Sequence, residues 1–489
     1  MEGSKGMSGA NTAPKVLARL SATDLLAGYK AGQFTPREVI EDVIAALERT
    51  HAACQVMVTP MFEAARVEAD KASAAWTKGE PSGALCGVPV TVKDLVFVAG
   101  VPARGGAPIN DSFVPDTDAA AVAALRKAGA ILTCKTTTCE SGYKLTADSP
   151  VSGITRNPWN LTRTSGGSSG GAAAAMAAGC GPLAIGTDGV GSIRVPAAFC
   201  GVVGVKPTFG LVPRTPGFSP PSWASLAHTG PITRTVADAA LLLEIIAGYD
   251  PRDGASLPVA ARHFDPQPRP LNGVRIAASA DLGHAAVAPA IRSAFAAALD
   301  ILGDLGAEVS GERPDLDPKL LERTLKPIAF TEQAAAVAAK SETDLARSEA
   351  EYRGVIAQGR SYSGIDYVEA TYRRASVRAA FLALFRKVDA LVTPTVAVTA
   401  FEAGALGVDS IDAVAVDRHL GWSPFSWPIN LAGLPAATLP CGFDANGLPI
   451  GLQIVAPWLD EALIFRIAAA FEAAKPWAGL WPSARAPQG

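Results

Sequence analysis

The stretch Ser165-Gly-Gly-Ser-Ser-Gly-Gly171, followed by an alanine-rich run at 172–178, decides how this chain folds. Four glycines in seven residues permit backbone conformations that other residues avoid, and the alanines favour a helix directly after them. N–H groups at the start of such a helix point toward the loop, where they can hold buried hydroxyls or anions. We therefore predict a tight loop that leads into a helix. A flexible linker is the alternative, and a P-loop is disfavoured because Gly-x4-Gly-Lys-Ser/Thr is missing.

A second glycine-rich stretch, Gly186-Thr-Asp-Gly-Val-Gly-Ser-Ile-Arg194, places a serine directly after a tight turn. The successive N–H groups of Gly189, Val190, Gly191 and Ser192 can converge on one point, as an oxyanion hole requires. The pattern indicates Ser192 as a candidate nucleophile. From spacing alone, a plain turn with a structural serine fits equally well.

A lysine ends the short apolar segment Gly87-Val-Pro-Val-Thr-Val-Lys-Asp94, which is typical of a strand. Burial at the end of such a strand disfavours the charged ammonium and lowers the pKa of Lys93, which makes the amine a usable base. The alternative is a lysine that reaches the surface with its charged end.

The segments around these motifs alternate between helix and strand patterns. Helices are predicted after the capping residues Ser21 and Thr35, and at 117–128, 235–246 and 289–302; strands are predicted at 130–136, 390–394 and 451–455. This alternation favours an α/β sheet with covered faces. We expect residues 1–15 to form a flexible tail and residues 16–489 to form a single domain, with a helical insertion at about 310–425.

The composition excludes several classes of protein. Hydrophobic residues make up 49% and charged residues 18%, which predicts a large buried core. A net charge of -3 without a basic run gives no reason to expect nucleic acid as a partner. Seven cysteines without disulfide spacing indicate reduced thiols and a cytoplasmic protein. No apolar segment is long enough to span a membrane.

Taken together, the motifs resemble the amidase signature family. Four flanking stretches are also similar to it: Asn157-Pro-Trp-Asn160, Cys200-Gly-Val-Val-Gly-Val-Lys-Pro-Thr208, Gly230-Pro-Ile-Thr-Arg234 and Asn430-Leu-Ala-Gly-Leu-Pro435. The resemblance extends from about residue 20 to 475. It implies a large mixed β-sheet of about eleven strands covered by helices on both faces. It implies no cofactor and no metal, and a monomer or a homodimer.

The resemblance also assigns roles to residues. It implies that Ser192 attacks the carbonyl, that Ser168, held in a cis peptide, relays the proton, and that Lys93 is the base. It implies that Ser169 supports Ser168, that residues 189–192 form the oxyanion hole, and that Asp188 and Arg194 form a structural pair. One departure concerns Val190, because the family usually has glycine there and a β-branched residue restricts the backbone.

The implied function is hydrolysis of carboxylic amides through an acyl-enzyme on Ser192. Aromatic residues in the expected cleft favour hydrophobic or aryl amides as the small-molecule partner, with esters, anilides or carbamates as further substrates. The family pattern places six candidate substrate contacts: Gly142, Tyr143, Trp223, His228, Phe425 and Trp427.

Other functions are weaker fits. A Ser-His-Asp hydrolase is disfavoured because none of the five histidines stands in a motif with an acid, and no Gly-x-Ser-x-Gly turn is present. A glutamine-amidotransferase A-type subunit would share the family, but Ser423-Pro-Phe-Ser-Trp-Pro428 lacks its acidic residue and Ala227-His228 replaces its Asp-Gln pair. A non-catalytic binding protein on the same fold is the last alternative, against which the intact Lys93, Ser168 and Ser192 argue.

Overall fold

The computed structural model describes residues 16–219, 225–259 and 262–482. The α-helices are α1 (Ala22–Lys30), α2 (Pro36–Cys54), α3 (Phe62–Lys78), α4 (Ala120–Lys127), α5 (Gly170–Ala178), α6 (Arg194–Cys200), α7 (Val236–Ile246), α8 (Pro289–Asp304), α9 (Pro318–Ala336), α10 (Glu342–Leu345), α11 (Ala350–Ser361), α12 (Gly364–Leu384), α13 (Trp427–Ala432) and α14 (Glu461–Ala474). The strands are β1 (Met57–Pro60), β2 (Pro89–Lys93), β3 (Ile131–Thr136), β4 (Asp148–Ser149), β5 (Gly153–Ile154), β6 (Arg156–Asn157), β7 (Asn160–Thr164), β8 (Leu183–Asp188), β9 (Val203–Lys206), β10 (His228–Thr233), β11 (Arg275–Ala278), β12 (Glu308–Ser310), β13 (Ala390–Pro394), β14 (Ser410–Ile411), β15 (Val414–Ala415), β16 (Ala436–Phe443) and β17 (Pro449–Val455).

Eleven of these strands form one mixed sheet, in the order β1-β3-β2-β8-β10-β9-β16-β17-β13-β11-β12. Strand β2 is parallel to both of its neighbours, β3 and β8, whereas the strands from β8 to β13 pair antiparallel along the middle of the sheet. Helices flank the sheet. The prediction of a large mixed sheet with about eleven strands is therefore confirmed.

Local sequence signals explain where several helices begin. The Ser21 side chain accepts from the Asp24 N–H at the start of α1, and Thr35 and Glu38 form a complete capping box at the start of α2. The Thr235 side chain accepts from the Asp238 N–H at the start of α7. These caps satisfy N–H groups that have no partner inside the helix, so the predicted starts agree with the structure.

Helix α5 lies in the interior, which explains its alanine-rich sequence. Every residue from 170 to 177 is buried, and the helix packs against α2, α6, β8 and β10. A Cβ on Gly171 would lie 2.3 Å from Thr137 Oγ1 and 2.5 Å from the Val56 carbonyl oxygen. Only small residues fit so close to neighbouring backbone, so the loop before α5 is a packed element and not a linker.

Helices α9 to α12 fill the region where a helical insertion was expected at about 310–425. They run from Pro318 to Leu384, and Ala390–Pro394 then returns to the main sheet as β13. The helices thus occupy the first part of that range, and the strand predicted at 390–394 follows them. The predicted tail at 1–15 lies outside the described residues.

Candidate active site

Two parallel neighbours, β2 and β8, end at the same edge of the sheet and bring their last residues together. Lys93 ends β2, while Thr187 and Asp188 end β8. The loop before α5 adds Ser168 and Ser169 at this edge, and the expected cis peptide is present between Gly167 and Ser168. Residues from three separate stretches of sequence therefore meet at one point.

The Lys93 amine is completely buried within this group of hydroxyls. Its Nζ lies 2.7 Å from Ser168 Oγ, 2.9 Å from Ser169 Oγ and 2.9 Å from Thr187 Oγ1. Burial lowers the pKa of Lys93 from its ordinary value to about 7. A substantial fraction of the lysine is therefore neutral near pH 7.

The surrounding hydrogen bonds determine where the lone pair of the neutral amine points. Ser169 donates its hydroxyl hydrogen to the Thr187 carbonyl at 3.1 Å, so its Oγ accepts from Lys93. Thr187 Oγ1 takes the second hydrogen of the amine. The Thr187 carbonyl is a further acceptor at 3.4 Å. A neutral amine has two hydrogens and one lone pair, so when Ser169 and Thr187 accept the two hydrogens the lone pair is available to the Ser168 hydroxyl. This is the arrangement of a base that accepts a proton from Ser168.

Ser192 stands between the end of β8 and the start of α6, next to the loop that carries Ser168. Its carbonyl accepts from the Ser169 N–H at 3.1 Å. Both Ser168 and Ser192 are buried. The candidate nucleophile and the candidate relay are thus fixed to each other through the backbone.

The Asp188 carboxylate holds the turn that precedes Ser192. It accepts from the N–H groups of Gly191 at 2.8 Å and Ile193 at 3.2 Å. The Gly191 hydrogen is therefore directed to Asp188, so this predicted oxyanion donor serves the turn itself. The other three predicted donors, Gly189, Val190 and Ser192, lie on the same turn.

The departure from the family at Val190 does not strain the turn. The left-handed backbone falls on Gly191, with a φ of 130°, and not on Val190. A Cβ on Gly191 would lie 2.5 Å from Ser426 Oγ, and that hydroxyl donates to the Val190 carbonyl at 2.7 Å. Glycine is thus required at 191, while the backbone at 190 is open to a β-branched residue.

A buried ion pair ties this turn to distant parts of the chain. Arg194 donates to both carboxylate oxygens of Asp188 at 3.0 Å, and also to Gln453 Oε1 at 2.7 Å and Asn430 Oδ1 at 2.5 Å. Burial alone would raise the pKa of Asp188, but the Arg194 guanidinium lowers it below its ordinary value. The predicted structural pairing of Asp188 with Arg194 is present. The sequence reasoning missed Gln453 and did not single out Asn430, which lies in a quoted flanking stretch.

The six predicted substrate contacts differ in their exposure and in their distance from the candidate relay. A Cβ on Gly142 would lie 3.4 Å from Ser168 Oγ, so Gly142 adjoins the candidate relay. Trp427 begins α13 and is partly exposed. Phe425 is fully buried, as Lys93, Ser168 and Ser192 are, so its contact with substrate stays a prediction. Trp223 lies outside the described residues.

The remaining two candidates have partners within the protein. Tyr143 is buried and donates its hydroxyl to Glu349 at 2.8 Å. His228 is buried, and its Nδ1 donates to the Asp188 carbonyl at 3.1 Å. Burial, together with the nearby Lys206 charge, keeps the pKa of His228 well below its usual range. Both residues therefore have hydrogen-bond partners within the protein, and their contact with substrate stays a prediction.

An unpredicted residue, Asp94, fixes the loop that faces the site. Its carboxylate accepts from the N–H groups of Arg104 at 3.1 Å and Gly105 at 2.8 Å, and it pairs with the buried Lys135 at 3.2 Å. The sequence feature that could have indicated this role is the position of Asp94 directly after Lys93.

Comparisons with known proteins agree with this geometry. The family described as Amidase matches residues 38–465. An acylamidase from Rhodococcus erythropolis is 36% identical over 475 residues, covering 95% of this chain and 97% of the relative. A glutamyl-tRNA(Gln) amidotransferase A-type subunit from Thermosynechococcus vestitus is 36% identical, covering 89% and 93%. The crystal structure of a bacterial aryl acylamidase superposes with a TM-score of 0.89 at 29% identity, covering 96% and 99%. The chain belongs to the amidase signature family of amide C–N hydrolases.

Proposed function

We propose that this chain hydrolyses hydrophobic or aryl carboxylic amides through an acyl-enzyme on Ser192. The observation that carries the proposal is the buried Lys93 amine, which lies 2.7 Å from Ser168 Oγ and has a pKa lowered to about 7. A base with a pKa near the working pH transfers protons efficiently in both directions.

In the acylation step, Ser192 Oγ attacks the carbonyl carbon and forms the new C–O bond. Its proton passes to Ser168 Oγ as the Ser168 proton passes to the Lys93 lone pair, so Lys93 becomes an ammonium. The carbonyl π electrons move to the oxygen. The N–H groups of Gly189, Val190 and Ser192 are the proposed donors to this oxyanion, while Gly191 holds the turn through Asp188.

Collapse of this intermediate breaks the C–N bond. The leaving nitrogen takes a proton from Ser168, Lys93 returns a proton to Ser168, and the amine departs neutral. Water then attacks the ester on Ser192 and loses its proton along the same path. The ester C–O bond breaks, Ser192 recovers its proton, and a carboxylic acid is released.

Two similarities support the substrate class. The acylamidase relative and the aryl acylamidase structure both carry names that specify acyl amides. The protein is therefore proposed to accept hydrophobic acyl amides and anilides, and to accept esters and carbamates of similar shape.

The first test is labelling with a fluorophosphonate probe followed by peptide mapping. We expect a single adduct on Ser192, none in Ser192→Ala, and much slower labelling in Ser168→Ala because the proton relay is lost. Hydrolysis of an aryl amide at a much higher kcat/KM than acetamide would support the substrate class. Labelling at another serine, or no labelling of the folded protein, would contradict the mechanism.

An amidotransferase component is the second candidate, because relatives with that name match at 36% identity. The stretch with Ser423 contains no acidic side chain, and Ser423 is buried and bonded to Ser426. His228 is bonded to the Asp188 carbonyl. Recovery of stoichiometric partner proteins in a pull-down, together with glutamine hydrolysis, would favour this candidate over the amidase.

We further propose a cytoplasmic enzyme that acts as a monomer or a homodimer without a cofactor. All seven cysteines are buried and free, which suits a reducing compartment. Among the described residues, no helix combines the length and apolarity needed to cross a membrane.

A further inference from the structure

A line of apolar side chains starts beside Ser168 and ends at the protein surface. We name it the apolar wall, and it consists of Leu95, Phe218 and Phe113. Leu95 Cδ1 and Ser168 Oγ lie 2.9 Å and 3.4 Å from the point that a Cβ on Gly142 would occupy. The inner end of the wall and the candidate proton relay therefore both flank Gly142.

The wall continues outward without a polar interruption. Leu95 Cδ2 and Phe218 Cε2 lie 3.0 Å and 2.9 Å from the position of a Cβ on Gly105. The Phe218 ring lies 5.7 Å from the Phe113 ring, and both pack against Phe97. Leu95 and Phe218 are partly exposed, and Phe113 is 39% exposed.

Two glycines allow Leu95 to pack close to the backbone beside Ser168. Gly105 and Gly142 have φ values of 58° and 71°, and any side chain on them would meet Leu95. The Ser141 N–H donates to the Gly105 carbonyl at 2.7 Å, which joins the two glycine turns. The position of Leu95 against these two glycine turns is therefore a fixed feature of the fold.

We propose that the apolar wall is the subsite for the leaving group, and that it selects amides of hydrophobic or aromatic amines. The inference rests on the proposed function, in which Ser168 gives its proton to the leaving nitrogen. That nitrogen must then lie against Ser168 Oγ, and a substituent that extends past Gly142 reaches Leu95. In the same proposal the turn at 189–192 binds the carbonyl oxygen.

The chemistry of the wall fits an aryl amine. Aromatic rings pack favourably edge-to-face against other rings, and Phe218 and Phe113 supply two such rings beyond Leu95. A primary amide leaves only ammonia and makes no contact beyond Ser168. The wall should therefore raise kcat/KM for an anilide over the primary amide of the same acid.

The test compares two substrates with the same acyl group, butyranilide and butyramide, in Leu95→Ala, Phe218→Ala and the milder Phe218→Leu. We expect the ratio of kcat/KM for the anilide to that for the amide to fall about tenfold or more in Phe218→Ala. Phe443→Ala is the control for loss of a surface phenylalanine, because Phe443 has the same 39% exposure as Phe113 of the wall but packs against Trp159. Its ratio should equal that of the wild type.

An unchanged ratio in the wall variants would overturn the proposal, as would losses that follow the length of the acyl chain and not the amine. Binding of butyranilide to Ser192→Ala protein, with and without Phe218→Ala, tests the wall without turnover. Weaker binding in the double variant supports the wall even if the wild type hydrolyses no amide, which would contradict the proposed function alone. Equal binding overturns the wall.

Discussion

At the residue scale, the buried amine of Lys93 should set the pH dependence of kcat/KM. Only the neutral amine accepts a proton, so kcat/KM should be low below pH 7, rise through a pKa of about 7 and level off above it. The kcat/KM of Lys93→Arg should be about a hundredfold or more below that of the wild type, because a guanidinium stays protonated and cannot accept the proton. A pH–rate profile on an aryl amide measures both effects.

Lys206 is a control that separates the effect of removing any buried lysine from the effect of removing the catalytic base. It is fully buried like Lys93, but its Nζ donates to the carbonyls of Pro207 and Leu434. Lys206→Met should change thermal stability and leave the apparent pKa of the residual activity in place. The same pKa near 7 in Lys93→Ala would show that another group titrates.

Two glycines of the nucleophile turn should differ sharply in their tolerance of alanine. Gly191 has a left-handed φ and its Cβ would meet Ser426 Oγ at 2.5 Å, whereas a Cβ on Gly189 meets nothing within 4 Å. Gly191→Ala should therefore lower kcat about tenfold or more by displacing Ser192. Gly189→Ala should retain most of its kcat and change KM alone. Steady-state kinetics on both variants measures this difference. Equal losses in kcat would contradict the different roles given to Gly191 and Gly189.

At the element scale, the start of α13 acts on the nucleophile turn through Ser426. The Ser426 hydroxyl donates to the Val190 carbonyl, and its own carbonyl accepts from Arg194 at 3.0 Å. Ser426→Ala should leave the Val190 carbonyl without its donor and lower kcat about tenfold.

Ser423 is the matched control on the same segment. Its hydroxyl lies 2.8 Å from Ser426 Oγ and reaches the turn only through that residue. Ser423→Ala should therefore lower kcat less than Ser426→Ala. Equal kcat values for the two variants, measured alongside their melting temperatures, would mean that α13 only contributes stability.

At the scale of the whole molecule, the sequence predicts those features that depend on residues close together in the chain. The caps at Ser21 and Thr35, the apolar strand before Lys93 and the small residues of α5 each depend on neighbours within a few positions. The resemblance adds the sheet and the triad, because its motifs are compact and specific. The caps, the strand, α5 and the eleven-stranded sheet agree with the structure for that reason, while the roles of the triad residues stay a prediction.

Contacts between distant segments could not be predicted in the same way. Arg194 contacts Gln453, and Ser426 contacts Val190, across more than two hundred positions. The buried position of Phe425 and the direction of the Gly191 N–H likewise depend on packing that only the folded chain defines. Tyr143 was expected at the substrate for its aromatic ring, yet its hydroxyl contacts Glu349 beside the helical segment.

That contact couples the helical segment α9–α12 to the active-site turn at 139–144. Glu349 accepts from the Tyr143 hydroxyl at 2.8 Å and from Lys144 Nζ at 2.7 Å, and its N–H donates to Glu140 at 2.9 Å. Burial and the nearby Glu349 raise the pKa of Tyr143, so the hydroxyl remains a donor. The turn carries Gly142, which adjoins Ser168.

Glu349→Ala should therefore loosen the turn without touching the triad. We expect amide hydrogens at 139–144 to exchange about tenfold faster, because a buried hydroxyl and ammonium lose an acceptor. The kcat/KM for an aryl amide should fall with them, while the pH profile set by Lys93 stays in place. Glu351→Ala, an exposed carboxylate on the first turn of α11, should change neither. Faster exchange with unchanged kinetics would mean that the helical segment holds the turn but does not position the site.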